Sequence, residues 1–498
     1  MNLRFCAVAA LSLLCLAGCG GGGTTNTGGG GNTTTPDLGT LTAMDDSAVY
    51  TFTNAASTMV LGISGQSQTA GAALAQEAAG DSNTDDGWHV MPMGSNQYNV
   101  ENLLTHQVMG ISNASTTAGA QALQWADNGT NDHLWAFYHL TDGNYLIKNV
   151  NSGLYLEDAN SATTATATMD QGARATSGTG CSCQEWTIAS TGNAPYPAPN
   201  TVAVSYTAPD SATIGIHDPS MISAGANYDL FSTHGLLHEH QSQEMSTFAD
   251  AGYALPSLPA WTAAYTGGSG DLWAPDISLH NGQYWLYFAA SGFGSDNSAI
   301  GLATSSSASP GTFVDSGAPV YTSADCSGSN AIDPASVTDS SGNSWLVFGS
   351  WSNGIQIVPV NNTTGLPTGA ACTQLAFHAT GTGIEGSYIY PHGGYYYLFA
   401  SIDDCCKGTS STYRIIVGRS TSVTGPYTDR GGLALTSGGG TILLSAHGNV
   451  NGPGGEAVVD GASGPVLVYH YYDGNNSGNP ALGLNSLGWT ADGWPYVE

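Results

Sequence analysis

In the second part of the chain five short, aromatic-rich segments recur: Tyr228-Asp229-Leu230-Phe231, Tyr284-Trp285-Leu286-Tyr287-Phe288, Trp345-Leu346-Val347-Phe348, Tyr395-Tyr396-Tyr397-Leu398-Phe399 and Val466-Leu467-Val468-Tyr469. Their length and their β-branched or aromatic content predict strands over helices. An acid beside a turn residue precedes four of them, at Asp218, Asp276, Asp333 and Glu385, in steps of 58, 57 and 52 residues. His447 follows Glu385 after 62 residues, ahead of the fifth segment. Units of this size hold about four strands each, so five of them predict an all-β, five-bladed β-propeller over residues 205–498. In such a ring the first strand of every blade lines the axis, and residues distant in sequence converge there.

The first part, residues 40–190, repeats on its own period. Tyr50-Thr51-Phe52-Thr53-Asn54 recurs as Tyr98-Asn99-Val100-Glu101-Asn102 and as Tyr145-Leu146-Ile147-Lys148-Asn149, in steps of 48 and 47 residues. Each unit carries a small apolar strand and ends near a tryptophan: Trp88, Trp135 or Trp186. Three such units resemble a ricin-type β-trefoil carbohydrate-binding domain. The Gln-x-Trp of that family survives only as Gln184-Glu185-Trp186, so the three tryptophans are expected in the core and not as sugar platforms. Which lobes bind sugar stays open. The run Ala194-Pro195-Tyr196-Pro197-Ala198-Pro199 reads as a stiff linker, residues 191–204, between two independent modules.

The N-terminus reads as an export signal: Arg4, then a short apolar run from Phe5 to Ala17 that cannot span a bilayer. Leu16-Ala17-Gly18-Cys19 resembles a bacterial lipobox, which implies cleavage over residues 1–19 and lipid on Cys19. Residues 20–39, rich in Gly, Thr and Asn, form a flexible tether. Of nine cysteines, six then remain, an even number in an exported chain. Cys405 with Cys406, Cys326 with Cys372 and Cys181 with Cys183 are the expected disulfides. The net charge is −30, and it comes from having only seven Lys and Arg. Seven cations cannot build the basic stripe a nucleic-acid binder needs, nor a polybasic membrane patch. A neutral ligand such as a glycan fits.

No Gly-x-Ser-x-Gly elbow, phosphate loop or His-Glu-x-x-His is present. What remains is Ile216-His217-Asp218-Pro219-Ser220, Asn330-Ala331-Ile332-Asp333-Pro334 and Gly383-Ile384-Glu385-Gly386-Ser387, one at the head of each of three units. Acids on different blades facing one axis can flank a glycosidic bond, one protonating the leaving oxygen and the other activating water. These segments resemble glycoside hydrolase family 43, above all its endo-1,5-α-L-arabinanases. Leu272-Trp273-Ala274-Pro275-Asp276-Ile277, Cys405-Cys406-Lys407-Gly408, Ser411-Thr412-Tyr413, Val417-Gly418-Arg419-Ser420, Thr424-Gly425-Pro426-Tyr427 and Gly493-Trp494-Pro495 extend the match over about 205–498.

The resemblance implies Asp218 as general base, Glu385 as general acid and Asp333, ionised beside it, as pKa modulator and positioner. Asp276 is expected to be structural. Trp273 and Trp351 either stack on arabinosyl rings or pack in the core, and Asn330 is a candidate substrate contact. Family members carry a Gly-Pro-Gly-His whose histidine helps hold an axial calcium. Here the segment reads Gly452-Pro453-Gly454-Gly455, which leaves His447 as the candidate metal ligand and calcium as the candidate cofactor. His234, His238 and His240 lack ligand spacing. The implied activity is inverting hydrolysis of α-1,5-arabinosidic bonds. The alternatives are an exo-acting α-L-arabinofuranosidase or β-xylosidase, or a non-catalytic glycan-binding surface protein.

Overall fold

A computed structural model of the chain describes residues 36–498, except 81–83, 159–160, 175–179, 208–214 and 379–382. The signal, Cys19 and nearly all of the tether lie outside the described residues. All of the long elements are strands.

Residues 40–190 form one sheet system with a threefold plan. The repeated tyrosine-to-asparagine segments are the strands Val49–Asn54, Tyr98–Asn102 and Tyr145–Asn149. Each terminal asparagine does the same work: its amide donates to a carbonyl, of Cys183, Asp85 or Asp132, at 2.7–2.8 Å. Its Oδ1 accepts the backbone N–H three residues on. Trp88, Trp135 and Trp186 are fully buried. Their indole N–H groups donate to the carbonyls of Leu61, Met109 and Leu156. A buried Trp needs such a partner, and the tryptophans are core residues as expected. Gln76, Gln124 and Gln171 stitch each lobe to the next, each donating to two backbone carbonyls there. The lobes thus share one core, built on Phe52, Val100 and Ile147.

Residues 220–497 form five antiparallel sheets. Their inner strands are Ser220–Ala224, Trp273–His280, Ala335–Thr338, Ile384–His392 and Val450–Gly461. Each inner strand packs on the next and the fifth on the first, which closes the ring. The aromatic-rich segments are the second strands. Tyr395–Ile402 is buried along nearly its whole length because blades cover both faces, so it reads as a continuous apolar run. The fifth inner strand begins after His447, and the residues it sends to the axis are Gly455 and Glu456.

The Pro-rich segment is not a free linker. Tyr196 is buried, its hydroxyl donates to both carboxylate oxygens of Glu101 at 2.7 and 2.9 Å, and its ring lies against His89 and His447. Asn200 donates to the Leu484 carbonyl. Met91 and Val108 of the trefoil belong to one apolar core with the propeller's third, fourth and fifth blades. The two modules are one packed body, which corrects the expectation of independence. The interface was not legible in the sequence because Tyr196 meets Glu101 across 95 residues and Arg414 meets Asp127 across 287.

The cysteines pair as Cys181–Cys183, Cys326–Cys372 and Cys405–Cys406. Among the described residues no helix is long and apolar enough to cross a membrane.

Candidate active site

Asp218 and Asp333 both adopt left-handed backbone, φ 45° and 52°, immediately before a proline. For a residue other than glycine this costs about 1–3 kcal/mol and gathers at functional sites. Neither carboxylate caps its own turn. Asp218 Oδ2 accepts from the hydroxyl of Thr233 at 2.6 Å, and Asp333 Oδ2 accepts from the backbone N–H of Gly386, in blade 4, at 3.0 Å. Glu385 lies at a register slip of its strand, between Glu385 and Tyr388. A bulge of this kind re-aims a side chain. Its Oε1 accepts from Tyr413 at 2.8 Å and its Oε2 from Ser350 at 2.6 Å. Asp218, Asp276, Asp333, Gly386 and Glu456 line one axial cavity of about 30 Å³, enough for water or a small ion.

The environment divides the three acids. Burial opposes the charge on Asp218, but His217 beside it, 3.0 Å from Oδ1, with His470 and the Thr233 hydroxyl, holds it well below the usual carboxylate range. His217 is pushed up in turn: burial disfavours its cation, and Asp218 outweighs that. Glu385 is raised by burial, against the Ser350 and Tyr413 hydrogen bonds. Asp333 is raised well above its ordinary value by burial and by the charges of Glu385 and Asp218. Two buried carboxyls this close ionise as a pair and hold one proton between them. Asp333 has one hydrogen-bond donor and Glu385 has two, and the proton belongs to the pair.

Asp276 accepts from the Ser336 N–H at 2.8 Å and the Ser220 hydroxyl at 3.3 Å, which ties blade 2 to blades 3 and 1. Trp351 is 40% exposed and its ring lies on Gly383, where a Cβ would come within 2.2 Å of it. It is therefore no core residue, and it flanks the Glu385 strand. Trp273 is half-buried, next to Ala274, whose N–H donates to Thr233. Asn330 is buried with its amide oxygen unpartnered, three residues before Asp333.

The structure does not bring His447 to the acids. Its Nδ1 faces the Ser445 carbonyl and its ring packs on Tyr196 at the trefoil interface, because the chain turns into blade 5 only at Val450. The axial histidine is His470, from the second strand of blade 5. Its Nδ1 accepts from the Asp218 N–H at 3.2 Å, and its ring stacks on His217 at 3.7 Å. Gly455 makes room for it, since a Cβ there would lie 2.8 Å from both His470 Nδ1 and Asp218 Oδ1. Nε2 of His470 and Oε1 of Glu456 are buried without partners. Each would offer a cation one donor, and calcium takes six to eight ligands, mostly oxygen. His217, Asp218 and His470 are the one group of potential ligands within mutual reach among the described residues. His238 instead pairs with Asp250 at 3.2 Å.

Sequence reasoning assigned no role to His217, Thr233, Ser350, Tyr413, Glu456 or His470. His217 and Tyr413 stood inside recognised motifs, and His470 interrupts an apolar strand. Those were the available signals. Cys406 adds a further contact at the rim: its N–H donates to Tyr472, whose hydroxyl is 2.8 Å from His217 Nε2.

A closed ring of five blades that brings three half-buried carboxyls together on its axis has the layout of a glycosidase. The chain belongs to glycosyl hydrolase family 43, whose model matches residues 213–495, and a ricin-type β-trefoil lectin-like domain matches residues 40–125 and 131–197. The extracellular endo-α-(1→5)-L-arabinanase 1 of Bacillus subtilis is 41% identical over 286 residues, 56% of this chain and 87% of that protein. The arabinanase of Cellvibrio cellulosa, solved with arabinohexaose, superposes with a TM-score of 0.55 at 32% identity, over 57% of this chain and 96% of its own. An exo-1,5-α-L-arabinanase from a bovine ruminal metagenomic library gives 0.54 at 34% identity, over 57% and 97%.

Proposed function

We propose that this chain is an exported, lipid-anchored hydrolase that cuts α-1,5-linked L-arabinan with inversion. The reading rests on the meeting of Asp218, Asp333 and Glu385, from three blades, at the axis, with Asp218 held low and the other two raised by their surroundings. Asp218 takes a proton from water, and the water oxygen bonds to the anomeric carbon. The bond from that carbon to the leaving sugar's oxygen breaks on the opposite face, and Glu385 gives its proton to that oxygen. Inverting enzymes hold these two carboxyls about 6.5–9.5 Å apart to admit the water. Asp333 fixes the backbone beside Glu385 through Gly386 and is the modulator of the acid's pKa, its own carboxyl being raised by burial and by the charge of Glu385. His217 and Thr233 hold Asp218 in place and charged. Trp351 offers its exposed ring to a sugar, while the Asn330 amide oxygen is closed off from solvent. A calcium ion at His470 and Glu456 would supply positive charge to the water network, and elemental analysis of the purified protein measures its stoichiometry directly. The trefoil contributes a second glycan-binding surface.

The similarity extends to both endo- and exo-acting arabinanases, so product size separates the two readings. With debranched arabinan, oligosaccharides of mixed length should dominate the earliest time points. Arabinose alone from the start would favour the exo-acting alternative. The lipobox supports the anchor. Cys19→Ala should move active protein from the membrane fraction to the soluble one, and a variant that still pellets with membranes would rule the lipid out.

A further inference from the structure

The domain interface contains a buried ion cluster that neither a core nor a linker requires. Arg414 is 1% exposed. Its Nε and Nη2 donate to Asp403 Oδ2 at 2.8 and 2.5 Å, within blade 4. The same Nη2 reaches across to the trefoil, donating to Asp127 Oδ2 and, at 3.1 Å, to Asn99 Oδ1. Asp127 is itself held by the Gly129 N–H and by His133 Nδ1, at 3.1 and 3.2 Å. One guanidinium thus serves two carboxylates from two domains. A planar, multi-donor cation suits such a joint.

Both propeller members of this cluster touch the Glu385 segment. Arg414 follows Tyr413, whose hydroxyl donates to Glu385 Oε1. The N–H of Asp403 donates to the carbonyl of Gly383 at 3.2 Å, and Ile402 pairs with both Ile384 and Arg414. The carboxyl of Glu385 and the backbone just before it are therefore gripped by residues 402–403 and 413–414, and Asp127 and Asn99 clamp that pair from outside.

We propose that Asp127 and Asn99 of the trefoil, acting through Arg414, are positioning residues for Glu385, so that the trefoil is a brace of the catalytic centre as well as a glycan-binding module. The proposal rests on Glu385 being the general acid. A brace of this kind affects proton delivery, not substrate affinity. Weakening it loosens the Tyr413 hydrogen bond, which holds the Glu385 pKa down, so the acid's pKa rises.

The test uses the full-length protein and Asp127→Asn, which keeps the shape and removes the charge. On arabino-oligosaccharides kcat should fall about tenfold, a part of the about 10²–10⁴-fold that general acid catalysis supplies, with KM within about twofold. An aryl arabinofuranoside with a good leaving group should lose about twofold or less, and the alkaline limb of kcat should move to higher pH. Tyr413→Phe should give the same pattern, and Asn99→Ala a weaker form of it, which preserves the test if Asp127→Asn does not fold. A lower melting temperature with wild-type kcat, leaving-group dependence and pH profile in the folded variants would overturn the brace. If Glu385→Gln itself shows no leaving-group dependence, the acid assignment fails instead. The two failures are thus distinguishable.

Discussion

Glu385→Gln should lower kcat on arabinan by about 10²–10⁴-fold, the usual contribution of a general acid, while an aryl arabinofuranoside with a good leaving group loses about tenfold or less. A glutamine keeps the shape and accepts one of the Ser350 and Tyr413 hydrogen bonds at its amide oxygen, but it has no acidic proton to give. A sugar hydroxyl leaves poorly without that proton, and a nitrophenolate leaves well. Asp218→Asn should cost about the same on both substrates, since each needs the activated water. A thousandfold loss corresponds to about 4 kcal/mol of transition-state stabilisation. The pH profile follows from the same electrostatics. Asp218 is held low by His217, so the acid limb should lie below the ordinary carboxylate range. The alkaline limb reports loss of the proton shared by Asp333 and Glu385, both raised by burial. In Asp333→Asn, Glu385 titrates without a second negative charge beside it, so that limb should move to lower pH as the rate falls. Equal losses on both substrates for Glu385→Gln would remove it as the acid.

Arg414→Met should be among the most damaging substitutions for stability. It leaves Asp127 and Asp403 buried without their cation, and breaking a buried pair in this way costs about 3–5 kcal/mol. Thermal unfolding of the wild type should be a single cooperative transition spanning trefoil and propeller, because Tyr196, Met91 and Val108 lie in one interface. The variant should lower that transition as a whole. Acid should weaken the same interface. Glu101, fully buried, is held down to about 2 by His106 and His89 against the cost of burial. Its folded value lies below the ~4.3 of a free Glu, so its contribution is present above that pH and is lost as pH falls towards about 2. Two separate transitions, with only one moved by Arg414→Met, would show the domains to be independent.

Periodicity made both architectures legible. The Tyr-to-Asn segments, the three tryptophans and the acid-headed units report geometry that each lobe or blade must repeat. Asp218, Asp333 and Glu385 were legible because each stands at the same place in its own unit. The fifth unit was misread. His447 sits near the expected spacing, but inner strand 5 starts later, and the axial place falls to Gly455 and Glu456. The histidine that reaches Asp218 comes from a second strand, where a repeat of first-strand positions gives no signal. The upward shifts of Asp333 and Glu385 depend on burial set against partners from Gly386, Ser350 and Tyr413, which spacing cannot supply. The Pro-rich run 194–199 has the composition of a linker. Only its buried Tyr196 and the distant Arg414 reveal that it lies inside an interface.

The way water reaches the anomeric carbon decides the roles of the three acids. Proton NMR at the first turnovers of an arabino-oligosaccharide, before mutarotation, reads the anomer that forms. Direct displacement by water activated at Asp218 predicts the β-anomer from the α-linked substrate. If the α-anomer appears first, a covalent intermediate has intervened, and the roles given to Asp218, Asp333 and Glu385 are wrong.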